Sequence, residues 1–140
     1  MSARRRPAPP SGEPPPRAAT LADGTALELE ALAAEVCARY RAEYPDEEER
    51  YGETGMLWCL HDNQHLLNWA ALHARGYMVL DQQVAWLAKV LEAREFPLVR
   101  LARDLDIAAE VVRARVAGGE AVAEALAAAA AMVRSRPTFL

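Results

Sequence analysis

The sequence predicts an all-α chain: a single-domain helical bundle of about five to six helices. Three observations carry that prediction. Apolar residues recur at three- and four-residue intervals from Thr25 onward. No stretch alternates apolar and polar residues as a half-buried strand does, and no hairpin turn signal sits between β-rich runs. Proline and glycine punctuate the periodic segments at spacings that suit short connections. A chain of 140 residues is long enough for one core.

Residues 1–19, MSARRRPAPPSGEPPPRAA, hold six of the nine prolines. Proline removes backbone donors and this stretch has almost nothing to bury, so a disordered Pro-rich tail of polyproline-II character is expected. It reads as a solubilising extension, or as a ligand for a proline-binding partner. The helical domain then spans 20–136. Leu29, Leu32, Val36 and Tyr40 mark a one-faced helix over about 26–43. Pro45 opens a short helix whose positive end meets Asp46, Glu47, Glu48 and Glu49. Gly52 and Gly55 interrupt it, and a third helix runs from about 54 to 74, stopping at Gly76. A fourth covers about 78–95, with Val79, Val84, Leu87 and Leu91 among its apolar positions. A fifth, about 97–117, starts at Pro97 and ends at Gly118–Gly119; a last one, about 119–134, presents Val122, Leu126 and Val133 before Pro137. Residues 137–140 form a C-terminal tail. A globin-like arrangement of such helices is an open form of this fold class.

Composition excludes several classes. Hydrophobic residues make up 52% and charged residues 26%, as in ordinary globular proteins. No run approaches the roughly 20 apolar residues a membrane span needs. The longest, AVAEALAAAAAMV at 121–133, contains Glu124. A twin arginine lies in MSARRRPAPP without a hydrophobic segment behind it, so a secretory signal is not expected. With Cys37 and Cys59 as the only cysteines, free thiols and a cytoplasmic setting are expected. A net charge of −4 disfavours nucleic acid as a partner of the whole surface. Fifteen arginines against the single Lys89 read as base-composition bias.

The segment with most chemistry is LWCLHDNQHLLNWA, residues 57–70. On a helix, Trp58, Asp62, His65 and Trp69 share one stripe; Leu60, Leu67 and Ala71 lie opposite. A helix apolar nearly all round is a central one. Asp62 and His65, three apart, are then expected to hydrogen-bond each other between two tryptophans. The His61/His65 spacing suggests metal, but a metalloprotease helix needs a glutamate after the first histidine, and Asp62 stands there. Zinc needs further ligands, and Cys59 points ~200° away from His61 on the same helix. No metal, cofactor or catalytic residue is therefore assigned. A haem, corrinoid or metal held through His65 is kept as an alternative, with His73 the other axial candidate for haem. There is no G-x-S-x-G and no glycine-rich phosphate loop, and Ser2, Ser11 and Ser135 are the only serines.

A second alternative lies in residues 97–117. Leu101, Ala102, Leu105, Ile107 and Val112 fit helix-turn-helix spacing, with Asp106 at the turn and Arg113 and Arg115 able to reach DNA. The same residues fit one continuous amphipathic helix.

Residues 51–133 also show an ordered set of features: YGETG, Cys59, D-x-x-H-L (Asp62, His65, Leu66) and Trp69, V-x-W-L (Val84, Trp86, Leu87), then VLEAREFP leading into LVRLARDL. This layout resembles the all-helical regulatory modules that precede cobalamin-binding domains. More distantly, it is similar to the globin-like N-terminal domains of stressosome sensor proteins. The resemblance implies a non-enzymatic sensory or protein-interaction role. Trp58, Asp62, His65, Trp69 and Trp86 would then be partner- or ligand-facing, and the partner a protein or a second copy in a dimer. The chain lacks D-x-H-x-x-G, and a cobalamin-binding domain is not expected to follow these features.

Overall fold

The computed structural model describes residues 8–140; residues 1–7 of the expected disordered tail lie outside them. Five α-helices make up the body: α1 (Leu29–Glu43), α2 (Glu47–Ala74), α3 (Leu80–Ala93), α4 (Leu98–Arg115) and α5 (Glu120–Ser135). The all-α bundle is as the periodicity predicts. Leu29, Leu32, Val36 and Tyr40 are buried on α1, and Val122, Leu126 and Val133 on α5. The expected short helix and third helix are the two arms of α2, which breaks at Gly52 (φ 66°, ψ −160°), a conformation open essentially to glycine alone.

One expectation fails at the N-terminal edge. Residues 18–20 are a strand, so 18 and 19 are not tail. β1 (Ala18–Thr20) pairs antiparallel with β2 (Ala26–Glu28), with Ala19 opposite Leu27. The turn is local chemistry. The Thr25 amide donates to Asp23 Oδ1 at 2.8 Å, and Gly24 takes φ 89°. Strands of three residues are too short for alternation to register. The hairpin buries Leu21 and Leu27 against the bundle, so the first helix starts at Leu29 rather than at 26.

Helix α4 corrects a second expectation. It runs without a turn through Asp106, so residues 97–117 are not a helix-turn-helix. Arg113 and Arg115 are ion-paired, to Glu120 at 3.2 Å and Glu35 at 2.8 Å. The continuous stripe of Leu101, Leu105, Ala108 and Val112 is fully inside, which is why no turn forms. The most extensive helix–helix contact joins α4 to α5. Both helices carry buried alanines, Ala102, Ala108 and Ala109 on α4 and Ala123, Ala129 and Ala130 on α5, all essentially inaccessible.

The C-terminal tail docks on α3. Glu92 accepts from the Phe139 amide at 2.7 Å and from the Thr138 hydroxyl at 2.6 Å, and Phe139 is buried. Among the described residues, no helix is long and apolar enough to cross a membrane.

Candidate functional site

The chemistry-bearing segment occupies the long arm of α2. Its inner face is set by Leu66, Leu67, Ala70 and Ala71, all buried. With that face in the core, Trp58, Asp62 and His65 lie toward the outside and are half-buried, and Trp69, also half-buried, packs in part against the core. They form a row of rings along the helix. Trp58 meets His61 edge-on (centroids 5.1 Å apart), His61 meets His65 edge-on (4.7 Å), and His65 stacks on Trp69 (5.7 Å, 30° between planes). The guanidinium of Arg94, just past α3, lies 5.8 Å from the Trp58 ring centroid.

This geometry corrects the expected Asp62–His65 hydrogen bond. Asp62 Oδ1 instead lies 3.2 Å from Nδ1 of its neighbour His61. His65 contacts His61 and Trp69 through its ring instead. Burial, followed by the nearby His61, holds His65 below the ordinary imidazole value; Asp62 pulls the other way. Trp86 does not join the row. It is 58% exposed on α3 and makes no aromatic pairing among the described residues. His73 is committed elsewhere, its Nδ1 accepting the Leu80 amide at 3.0 Å at the start of α3.

The outer face of α2 is partly covered by the N-terminal segment. Trp58 Nε1–H donates to the Ala8 carbonyl at 2.6 Å, and Gln64 Nε2–H to the Pro16 carbonyl at 3.3 Å. Pro10 and Pro15 are half-buried within this stretch, whereas Pro9, Pro14 and Pro16 are exposed.

A second polar group lies beneath this face, where sequence reasoning did not look. Asn63 is 2% exposed. Its Nδ2 donates to the Cys59 carbonyl at 3.0 Å and to Asp104 Oδ1 at 3.1 Å, with the Cys37 and Cys59 sulfurs at 3.5 and 3.6 Å. Burial pushes the Asp104 carboxyl up to about 7, against the lowering effect of Asn63. The Cys59 thiol is pushed up by its hydrogen bond to Cys37 and by burial. Nearby, Arg100 grips Asp46 at 2.9 Å and the buried Glu47 at 2.6 Å, and sits 4.4 Å from the Tyr44 ring centroid. The signal was present: Cys59, Asn63, Leu66 and Ala70 follow one helical stripe, so Asn63 is the polar residue in a buried row.

The arrangement suits contact better than capture. The two best-formed clefts, about 240 and 180 Å³, are lined by other residues and fall below the usual size of a ligand pocket. Among the described residues, no three potential ligands converge to hold a metal. What α2 offers is a long, half-exposed strip of flat rings with indole and imidazole N–H groups. Comparison of the chain with protein-family models, with curated proteins and with solved structures found no match.

Proposed function

We propose that this chain is a non-enzymatic protein-interaction module of a regulatory or sensory system, working in the reducing cytoplasm, and that its docking face is the outer strip of α2. The observation that carries this reading is the continuous Trp58–His61–His65–Trp69 row, half-exposed on a helix whose other face is locked into the core. Aromatic side chains bring large area and an N–H donor at low entropic cost, which is why they anchor interfaces. The partner is a protein, with a second copy of the chain included. The resemblance to helical regulatory modules supplies the regulatory part of the reading. A haem, corrinoid or metal held through His65 gains no support, because the His65 ring is packed between His61 and Trp69 on the outside of the helix.

Photocrosslinking in the native cells tests this. A photoreactive residue at Asn68 on α2 is expected to give discrete protein adducts that vanish in Trp58→Ala/Trp69→Ala. A control probe at Glu124, exposed on α5, is expected to give none. Adducts indifferent to the tryptophans, or equal from both positions, overturn the reading.

A further inference from the structure

We infer that the aromatic strip on α2 reads proline-rich segments, and that residues 8–16 are its resident intramolecular ligand, displaceable by a proline-rich partner. This rests on the interaction reading above and names the chemistry of the partner.

Two facts that the sequence kept apart meet here. One is the run PAPPSGEPPP at 7–16, five of whose six prolines are in the described part. The other is the row of rings about fifty positions further on. The structure joins the run to α2 twice: to the row itself through Trp58 to Ala8, and beside the row through Gln64 to Pro16. Both donors are side-chain N–H groups on the outer face of α2, and both acceptors are backbone carbonyls. This is the pattern proline-rich recognition requires. A proline lacks an amide donor, so at its prolines such a segment offers carbonyls and ring faces. A reader must therefore supply N–H donors and flat apolar surfaces, and the indole of Trp58 is both. Pro10 and Pro15 are the half-covered prolines, one near each anchored carbonyl. Proline restricts the free segment, so seating it costs little ordering entropy.

The contact is also shaped for exchange. Most of residues 8–16 stay exposed while seated. Among the described residues, its side-chain-mediated hydrogen bonds to α2 are the two above, each worth about 1 kcal/mol net. Such a strap holds by being tethered, at high effective concentration, and not by intrinsic affinity. A proline-rich segment of a partner, present in excess, can take its place.

Solution NMR of the full chain tests this. A nitroxide is placed at Ala8→Cys in a Cys59→Ala background, because Cys59 is only half-buried whereas Cys37 is buried. The label is expected to strip most of the intensity from the Trp58 indole signal and leave that of Trp86 unaffected. Excess unlabelled peptide PAPPSGEPPP is expected to restore the Trp58 signal, whereas AAAASGEAAA is not. Trp58→Phe keeps a ring but loses the donor, and is expected to weaken peptide binding about tenfold. An unaffected Trp58 signal in the labelled chain overturns the resident ligand. Restoration by both peptides, or by neither, overturns the proline reading. Crosslinks from Asn68 that survive either result leave the interaction role standing without this ligand. A seated, displaceable segment with no tryptophan-dependent crosslinks has the reverse meaning.

Discussion

Asn63 Nδ2 stands 3.1 Å from Asp104 Oδ1, tying the middle of α2 to the middle of α4 inside a largely apolar interior. A buried pair of this kind is asymmetric in its energetics: losing one member strands the other. Asn63→Leu keeps the branched shape and removes the donor, so it is expected to cost about 1–3 kcal/mol in urea unfolding. Asn63→Leu/Asp104→Leu removes both polar groups and is expected to recover most of that loss. A double variant no better than the single would show that the pair contributes shape alone.

The same carboxyl gives stability a pH dependence. Unfolded, an aspartate ionises near about 3.9; folded, Asp104 does so at about 7. Between those values the folded state holds the extra proton. Its contribution is therefore complete below about pH 4 and is lost as pH rises through about 7. His65, held low, acts in the opposite sense, so the wild-type curve alone is a mixture. The difference between wild type and Asp104→Asn isolates the term. From pH 5 to 8 the urea midpoint of the wild type is expected to fall relative to that of the variant. Parallel curves would remove Asp104 as the cause.

Arg100 is the cation for two carboxylates at the start of α2, and Glu47 is 5% exposed. Burial outweighs the guanidinium there, holding the Glu47 carboxyl above its ordinary value. Arg100→Met preserves the stem over Tyr44 but leaves Glu47 buried without its partner. Chemical denaturation is expected to show a loss of about 3 kcal/mol. Adding Glu47→Gln to Arg100→Met is expected to return part of it.

Glu95 has φ 63°, the left-handed conformation that glycine takes at the end of α2, where Gly76 has φ 82°. The Phe96 amide closes the end of α3 by donating to the Leu91 carbonyl at 2.9 Å, so the geometry is a helix stop and not a loop accident. A residue with a Cβ is strained there. Glu95→Gly is expected to stabilise the protein by about 1 kcal/mol, seen as a raised thermal midpoint.

Much of this architecture was legible residue by residue. The helices of the C-terminal half follow from Pro97, Gly118–Gly119 and the spacing of Leu101, Leu105, Val122 and Leu126, because burial of one face is what periodicity reports. The hairpin was signalled only by Asp23–Gly24, and strands of three residues give no period to count. On α2 the stripe of Trp58, Asp62, His65 and Trp69 was correctly grouped, but its outward direction was not. Leu60, Cys59 and Leu66 make the helix look apolar on all sides, and only packing against α1 and α5 selects the buried one. The Asn63–Asp104 pair crosses 41 positions of sequence, and helical phase alone does not specify such a partnership.

The buried alanines of α4 and α5 have a consequence for the history of the chain as well as its physics. Where Ala102, Ala108, Ala123 and Ala130 are inaccessible, each added methyl must displace packed neighbours. Drift in that region is confined to the smallest residues, and amides of these two helices are expected to be the slowest to exchange with solvent. Variation is tolerated more readily at the half-buried outer positions of α2. A lineage of such chains could change what α2 recognises, ring by ring, while the α4–α5 pair is inherited almost unaltered.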